Sequence, residues 1–375
     1  WMVGIDTGGT FTDLIAFELD SGELRVAKVS SEPADPSSAV MAALGELFAT
    51  GVQPVEIASL VHGTTVATNA ILEGKGVKTG LLITDGFRAV YEARGWARPE
   101  AKDLIDPFYR KPPLLAPQSL THGIPGRMDY QGKELEPLNE DAVREAARAL
   151  KAEGVESVAV CYLFSFKNGA HELRTAEILS EELSDCRVSL SSVVLPTIRE
   201  YPRQSTTVID AYVGPKMQHY LERLSDKLVE IGVVTPQVYL MQSNGGLMRI
   251  TIGARFPNQT LLSGPAGGVV AGEELARITG QQEIVTLDMG GTSTDIAMIT
   301  QGRADETNEG KIAGQDIGTP MLQVRTLGAG GGTIARIGPD GLLKVGPDSA
   351  GASPGPSCYG RGGMLPTVTD ANLVL

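Results

Sequence analysis

Two octapeptides, DTGGTFTD at residues 6–13 and DMGGTSTD at 288–295, agree at six of eight positions although nearly three hundred residues separate them. Apolar runs flank both copies, at 3–5 and 14–17 around the first and at 284–287 and 296–299 around the second. Strand, polar glycine turn, strand is the pattern of a β-hairpin, so the chain carries one hairpin twice. A single GGT turn is equally compatible with an ordinary polar hairpin. The repetition is what restricts the fold.

The residue types in the repeat suit one kind of ligand. Gly8 and Gly9, with Gly290 and Gly291, let the backbone turn with its amides aimed at one point and no Cβ in the way. Thr7, Thr10 and Thr12, with Thr292 and Thr294, add short hydroxyl groups beside those amides. Such a turn can hold phosphate oxygens. Asp6 and Asp288 are expected at strand ends, facing each other across a cleft, as the catalytic and metal-binding pair that holds Mg²⁺ through water and balances a triphosphate. Asp13 and Asp295 are further candidates, although a hairpin acid often only braces its turn. A third element, GAGGGT at 328–333, contributes Gly328, Gly330, Gly331 and Gly332 between two strand-like runs. It lacks the GxGxxG spacing, which argues against a Rossmann fingerprint and for a loop that lets an adenosine or phosphate lie close to the backbone. A loop that merely packs is the other reading.

Composition narrows the function classes. A formal net charge of −13 opposes binding to nucleic acid or to an anionic membrane surface. A polyanionic ligand would therefore need local backbone amides and a metal ion. The three cysteines, Cys161, Cys186 and Cys358, stand far apart outside any CxxC spacing, so a reducing cytoplasm is expected. No run of eighteen apolar residues and no leader pattern is present. The four histidines form no HExxH, and neither GxxxxGK[ST] nor GxSxG occurs. His62, opening HGTT ahead of a helix, and Asn69 suit a substrate contact or structural hydrogen bonds. The SGPAGG run at 263–268 opens a helix whose free amides could receive an anion, or whose glycines simply permit close packing. Trp1 at the start and the apolar LVL at 373–375 suggest a fragment.

The order of elements reads as α/β. Three strands near 2–6, 14–19 and 25–29 form an antiparallel meander, followed by a helix from Ser37, its N-cap, to Phe48. Strands and helices then alternate: a strand ending at Val61, a helix at 65–72, a strand at 79–84, an irregular proline-rich excursion at 105–126, a helix at 139–152, a strand at 155–164, a helix at 171–183 and a strand at 187–194. A boundary near 195–199 divides the chain into domains 1–195 and 196–375. The second opens on a helical stretch, 205–231, interrupted at Gly214–Pro215. A strand at 237–242 and a helix from Gly264 lead into the second hairpin.

Two phosphate hairpins and a late glycine loop resemble the superfamily of actin, heat-shock chaperones and sugar kinases. That resemblance implies two ribonuclease-H-like domains with mixed sheets flanked by helices, and a nucleotide cleft between them. More narrowly, VGIDTGGTFTD, HGTTVATNAILEGKG (62–76), MQSNGGLM (241–248), LLSGPAGGVVAG (261–272), LDMGGTSTDIAMI (287–299), LGAGGGTIA (327–335) and DSAGASPGPSCYGRGG (348–363) look like the hydantoinase/oxoprolinase A subunits. The match runs nearly end to end, and relatives continue well beyond residue 375. It implies ATP and Mg²⁺ as cofactors, ring opening of a cyclic amide or imide such as a hydantoin or 5-oxoproline, and a B-type partner subunit within an oligomer. Close relatives carboxylate acetone or acetophenone, which is the alternative. A non-catalytic, nucleotide-switched assembly protein is a third reading. Many relatives carry a DIHT-like run where this chain has Gln323, Val324, Arg325 and Thr326. An arginine there suits bidentate contact with phosphate or carboxylate, or a surface salt bridge.

Overall fold

Alternation of apolar and polar residues decides the first layer. The computed structural model describes residues 1–32, 35–94, 105–351 and 353–375. Strands β1 (Met2–Thr7), β2 (Phe11–Phe17) and β3 (Leu24–Ser30) form the expected antiparallel meander. One face buries Val3, Ile5, Leu14 and Ala16 beneath helix α1 (Pro36–Ala49), which contributes Val40, Ala43, Leu44 and Leu47 to the same core. Its N-cap is Asp35 and not Ser37. Pro36, with no amide to satisfy, takes the first helical turn, and the Ser37 and Ser38 hydroxyls donate to the Asp35 carboxylate at 2.5 and 2.7 Å.

Strand β4 (Ser59–Thr64), helix α2 (Val66–Leu72) and strand β5 (Thr79–Thr84) follow. The proline-rich excursion is not wholly irregular, because Thr121–Ile124 forms strand β6 along β5. Next come α3 (Glu140–Ala152), β7 (Ser157–Cys161), α4 (Ala170–Glu182) and β8 (Arg187–Leu190). The strand expected to reach residue 194 stops at Leu190, and Ser191–Val194 turn into a short helix. Helix α5 (Glu200–Glu230), β9 (Val238–Met241), β10 (Leu247–Arg249) and α6 (Ser263–Thr279) lead to β11 (Glu283–Met289) and β12 (Thr294–Thr300). The remaining strands used below are β13 (Arg303–Ala304), β14 (Val324–Leu327), β15 (Thr333–Ile337) and β16 (Leu343–Ser349).

The result is a mixed α/β architecture of several sheets flanked by helices. One sheet has the order β10-β9-β4-β1-β2-β3, and a second, all parallel, has the order β8-β7-β5-β6. A third joins β11, β12 and β13, with β14 also paired to β12. In the first sheet β1, β4 and β9 run parallel while β2 opposes them. Residues 196–249 thus complete the sheet that residue 2 begins, so the boundary expected near 195–199 runs through hydrogen-bonded structure. No helix among the described residues is long and apolar enough to cross a membrane.

Helix α5 runs unbroken through Pro215, contrary to the interruption expected there. Its residues 203–214 are all buried, because it lies between two sheets. Ile209, Tyr212, Val213 and Met217 join the core of the first sheet, whereas Val208 and Ala211 pack with Leu81, Ala159 and Cys161 of the second. A helix buried on all sides is held by its surroundings, and that packing outweighs the roughly 3 kcal/mol penalty of an interior proline. Ile209→Ala is expected to lower stability by about 2–5 kcal/mol in urea unfolding. Because α5 is common to both sheets, their unfolding midpoints should fall together.

Candidate functional site

The repeat seen in the sequence is a repeat of register. In the first hairpin Ile5 pairs with Leu14, Asp6 with Asp13 and Thr7 with Thr12. In the second, Leu287 pairs with Ile296, Asp288 with Asp295 and Met289 with Thr294. Both turns close in the same way, the Gly8 amide donating to the Phe11 carbonyl at 3.0 Å and the Gly290 amide to that of Ser293 at 2.9 Å. Even the third strand is repeated. Lys28 of β3 lies opposite Asp13, and Thr326 of β14 lies opposite Asp295. A whole meander is therefore present twice, a relation hidden in sequence because a long insertion separates β13 from β14.

The two tips meet. The Thr10 hydroxyl lies 3.2 Å from where a Cβ on Gly291 would stand. The glycine loop closes on the second hairpin through the Gly331 and Gly332 amides, which donate to the Gly290 and Gly291 carbonyls at 2.9 and 2.6 Å. A Cβ on Gly330 would come within 2.7–2.8 Å of that hairpin's backbone, so only glycine permits the approach. Gly8, Gly9, Thr10, Gly290, Gly291, Thr292 and Gly328–332 thus gather in one region, with Gly328 exposed beside it. Not every candidate points there. Thr7, Thr12 and Thr294 are buried on the opposite face of their hairpins. Thr12 shares a 3.0 Å hydrogen bond with Ser31, and Thr294 donates to the Ala329 carbonyl at 2.5 Å.

Four carboxylates form one electrostatic group. Asp6 stands where solvent reaches it, yet protein surrounds it closely. That crowding, and then the charges of Asp13 and Asp288, raise its pKa above the ordinary carboxylate value, with Lys28 opposing them. Burial also raises Asp295; the Thr326 hydroxyl, donating at 2.5 Å, opposes this, and Asp288 adds to it. Lys28 is committed to Asp13, at 2.7 and 2.9 Å, so Asp13 braces the first meander.

Three neighbouring elements fix Asp6. In the pairing of β1 with β4, Gly63 is its partner, and a Cβ there would lie 2.7 Å from Asp6 Oδ1. Gly63 was not singled out from sequence, although a glycine inside a strand is the usual mark of such an approach. The first turn of α6 arrives from the other side, Gly264 being 3.6 Å from Asp6 Oδ1 by the same measure. Ser263 donates to the Thr64 carbonyl at 3.1 Å, and the Leu262 amide to the Thr68 hydroxyl at 3.0 Å. Asn69 reaches the Thr65 hydroxyl at 3.2 Å, and that hydroxyl donates to the Thr7 carbonyl at 3.1 Å.

His62 has a structural role. It is fully buried, 3.2 Å from the Ile5 carbonyl through Nδ1 and 2.5 Å from the Tyr220 hydroxyl through Nε2. A carbonyl only accepts, so Nδ1 carries the proton and Tyr220 donates to Nε2. Arg325 also lies outside the cleft, since it pairs with Ile296 and shares the face opposite Asp295. A hollow of about 590 Å³ lined by Lys151, Cys186, Arg187 and His219 is distant in sequence from both hairpins and the glycine loop.

Comparison with known proteins agrees with this arrangement. The family models Hydantoinase/oxoprolinase N-terminal region and Hydantoinase/oxoprolinase match residues 2–183 and 203–375. The chain belongs to the hydantoinase/oxoprolinase family. It is 41% identical over 380 residues to the caprolactamase subunit alpha of Pseudomonas jessenii, covering 100% of this chain and 54% of that relative. It is 34% identical to 5-oxoprolinase 1 of Arabidopsis thaliana, covering 99% of this chain and 31% of that protein. Among solved structures, nucleotide-free acetone carboxylase superposes with a TM-score of 0.86 at 30% identity, covering 100% of this chain and 54% of its own. The ATP-dependent caprolactamase from Pseudomonas jessenii gives 0.84 at 39%, covering 100% and 55%. The chain spans about half the length of the first relatives it matches.

Burial holds the His62 pKa down at about 4, with the Ile5 carbonyl opposing the shift. The unfolded chain therefore binds the extra proton between pH 6.5 and 4, and stability is lost as pH falls through that window. The loss should approach about 3 kcal/mol. Urea titrations across the range should show it, and His62→Gln should flatten it.

Proposed function

We propose that this chain is the nucleotide-binding half of an ATP-dependent enzyme that opens a cyclic amide or imide by phosphorylating its carbonyl oxygen. The observation that carries the reading is the pair of register-matched hairpins whose tips meet beside Asp6 and Asp288. Likeness to caprolactamase and 5-oxoprolinase supports the reaction class. Within the first sheet the five-strand order β3-β2-β1-β4-β9, of which only β2 is reversed, supports a ribonuclease-H-like first unit extended by β10, and the repeated meander supports a second.

An unstrained amide is a poor electrophile near neutral pH. When its carbonyl oxygen attacks the γ-phosphorus of ATP, the bond to ADP breaks and an imidate-like phosphate ester forms. Water can then add to the carbon and the C–N bond breaks, the nitrogen leaving protonated as the amine and an acyl phosphate remaining; a second water hydrolyses that anhydride to the carboxylate and free phosphate. The protein's share is alignment and charge stabilisation. In this reading the amides of Gly9 and Gly291 and the hydroxyls of Thr10 and Thr292 hold phosphate oxygens, Gly8 and Gly290, whose own amides close the turns, keep the approach free of side chains, and Gly328–332 bound the nucleoside. The glycines leave room, since a Cβ on Gly9 would meet nothing within 4 Å. The free amides at the start of α6 add positive potential beside Asp6.

The acids fit a divalent cation. Asp6 and Asp288 are hard oxygen donors, and the charge of Asp288 helps raise the proton affinity of Asp6, a conflict that a cation relieves. No cage of three or more His, Cys, Asp or Glu exists among the described residues, which suits Mg²⁺, an ion usually held by one or two carboxylates plus phosphates and water. When bound, it would neutralise charge on the triphosphate. We assign the second half-reaction to a B-type partner subunit in a hetero-oligomer, as the subunit names of the relatives suggest. We place the enzyme in the cytoplasm, in keeping with three free cysteines. Ketone carboxylation is the second reading, favoured by the superposition on acetone carboxylase.

The test is ATP turnover by the full-length protein with its partner subunit. Cyclic amides should stimulate ADP release in step with ring-opened product, and acetone-type ketones with bicarbonate should not. Stimulation by ketones alone would move the protein to the carboxylases. Gly63→Ala should lower kcat/KM for ATP-dependent turnover by about 100-fold through displacement of Asp6. Its melting temperature should stay close to that of the wild type.

A further inference from the structure

We infer that Arg361 binds the terminal phosphates of the nucleotide, reaching from the second unit to the face of the first hairpin that bears Asp6; the inference rests on the nucleotide reading above. Its loop is held firmly for the purpose. Residues 353–368 are fastened to the glycine loop on both sides, since the Ala350 amide donates to the Gly332 carbonyl and the Thr369 amide to that of Gly331, both at 2.8 Å. The Asp370 carboxylate gathers the bend, accepting from the amides of Cys358 at 2.7 Å, Thr367 at 2.8 Å and Ser357 at 3.3 Å. Gly360 and Gly362, on either side of Arg361, have φ of +67° and +94°, so the arginine stands at a turn that glycine makes possible.

That turn delivers the guanidinium to the other unit. Arg361 Nη2 lies 3.5 Å from Ser30 Oγ at the end of β3. Ser30 is two residues from Lys28 and so shares its face, on which Lys28, Asp13 and Asp6 stand side by side across β3, β2 and β1. The next residue, Ser31, ties this strand end to the hairpin tip: its amide donates to the Thr10 carbonyl at 2.9 Å and its hydroxyl to the Gly8 carbonyl at 2.8 Å. A contact of 3.5 Å is at the long limit of a hydrogen bond, and one neutral hydroxyl satisfies little of a guanidinium with five N–H donors. The Tyr359 ring is 6.0 Å away, and among the described residues no carboxylate pairs with Arg361. Lys28, a cation on the same face, is already committed to Asp13. An exposed arginine with no anion, in a chain of net charge −13 and beside a turn suited to phosphate, offers the planar fork that phosphate oxygens match.

Calorimetric titration of the full-length protein with its partner subunit tests this, using the non-hydrolysable β,γ-imido analogue of ATP with Mg²⁺ and, separately, AMP. Arg361→Gln should weaken binding of the analogue by about 10- to 100-fold and leave AMP binding unchanged. Arg361→Lys, which keeps the charge but not the fork, should fall between wild type and Arg361→Gln. Ser30→Ala, which removes only the resting contact, should bind both nucleotides as the wild type does. Unchanged affinity for the analogue in Arg361→Gln would overturn the inference. So would equal losses for the analogue and AMP, or the same loss in Ser30→Ala, because the arginine would then serve only to fasten the two units together. A wild-type protein that binds neither nucleotide would overturn the nucleotide reading itself, and this inference with it.

Discussion

Carboxylate crowding at the hairpins is the constraint on which the rest of this structure turns. Asp6 feels Asp13 and Asp288 at once, and the nearby lysine is already paired. Such a group is costly to maintain in a folded protein unless something positive joins it, so the surrounding elements are best understood by how they hold it. Strand β4 withholds a side chain at Gly63, and α6 arrives with unpaired amides. The buried pair of His62 and Tyr220 sets the level of the preceding residue, Ile5. Each of these features makes local sense only with Asp6 in view.

The long buried helix explains why this geometry is firm on one side. Helix α5 packs against the six-stranded sheet and the parallel sheet together, so both act as a single block behind the first hairpin. The second meander has less support. It rests on α6 through one face only, while its other face is bare and its strands are continued by narrow ribbons.

Much of this was legible in the residues, and what was not has identifiable causes. The hairpins, the helices and the glycine loop between two strands followed from apolar periodicity and turn chemistry. The repeat of the third strand did not, because an insertion hides it and Lys28 has become Thr326. The break expected at Pro215 failed because burial on all sides is a tertiary effect that propensity does not register. Thr7, Thr12 and Thr294 looked like ligands by type, but strand parity turns them away from the acids, and parity is settled only once the register is known. Gly63 went unnoticed since one glycine in HGTT says little until Asp6 is seen lying against it.

Helix α6 touches both units, its body lying along β11 and β12 and its first turn standing beside Asp6. It therefore works as a strut whose length is fixed by its seventeen residues. Any rocking of the second meander relative to the first must carry the strut with it and change which backbone amides confront that acid. Movement of one jaw is thereby converted directly into a change of electrostatic potential at the other.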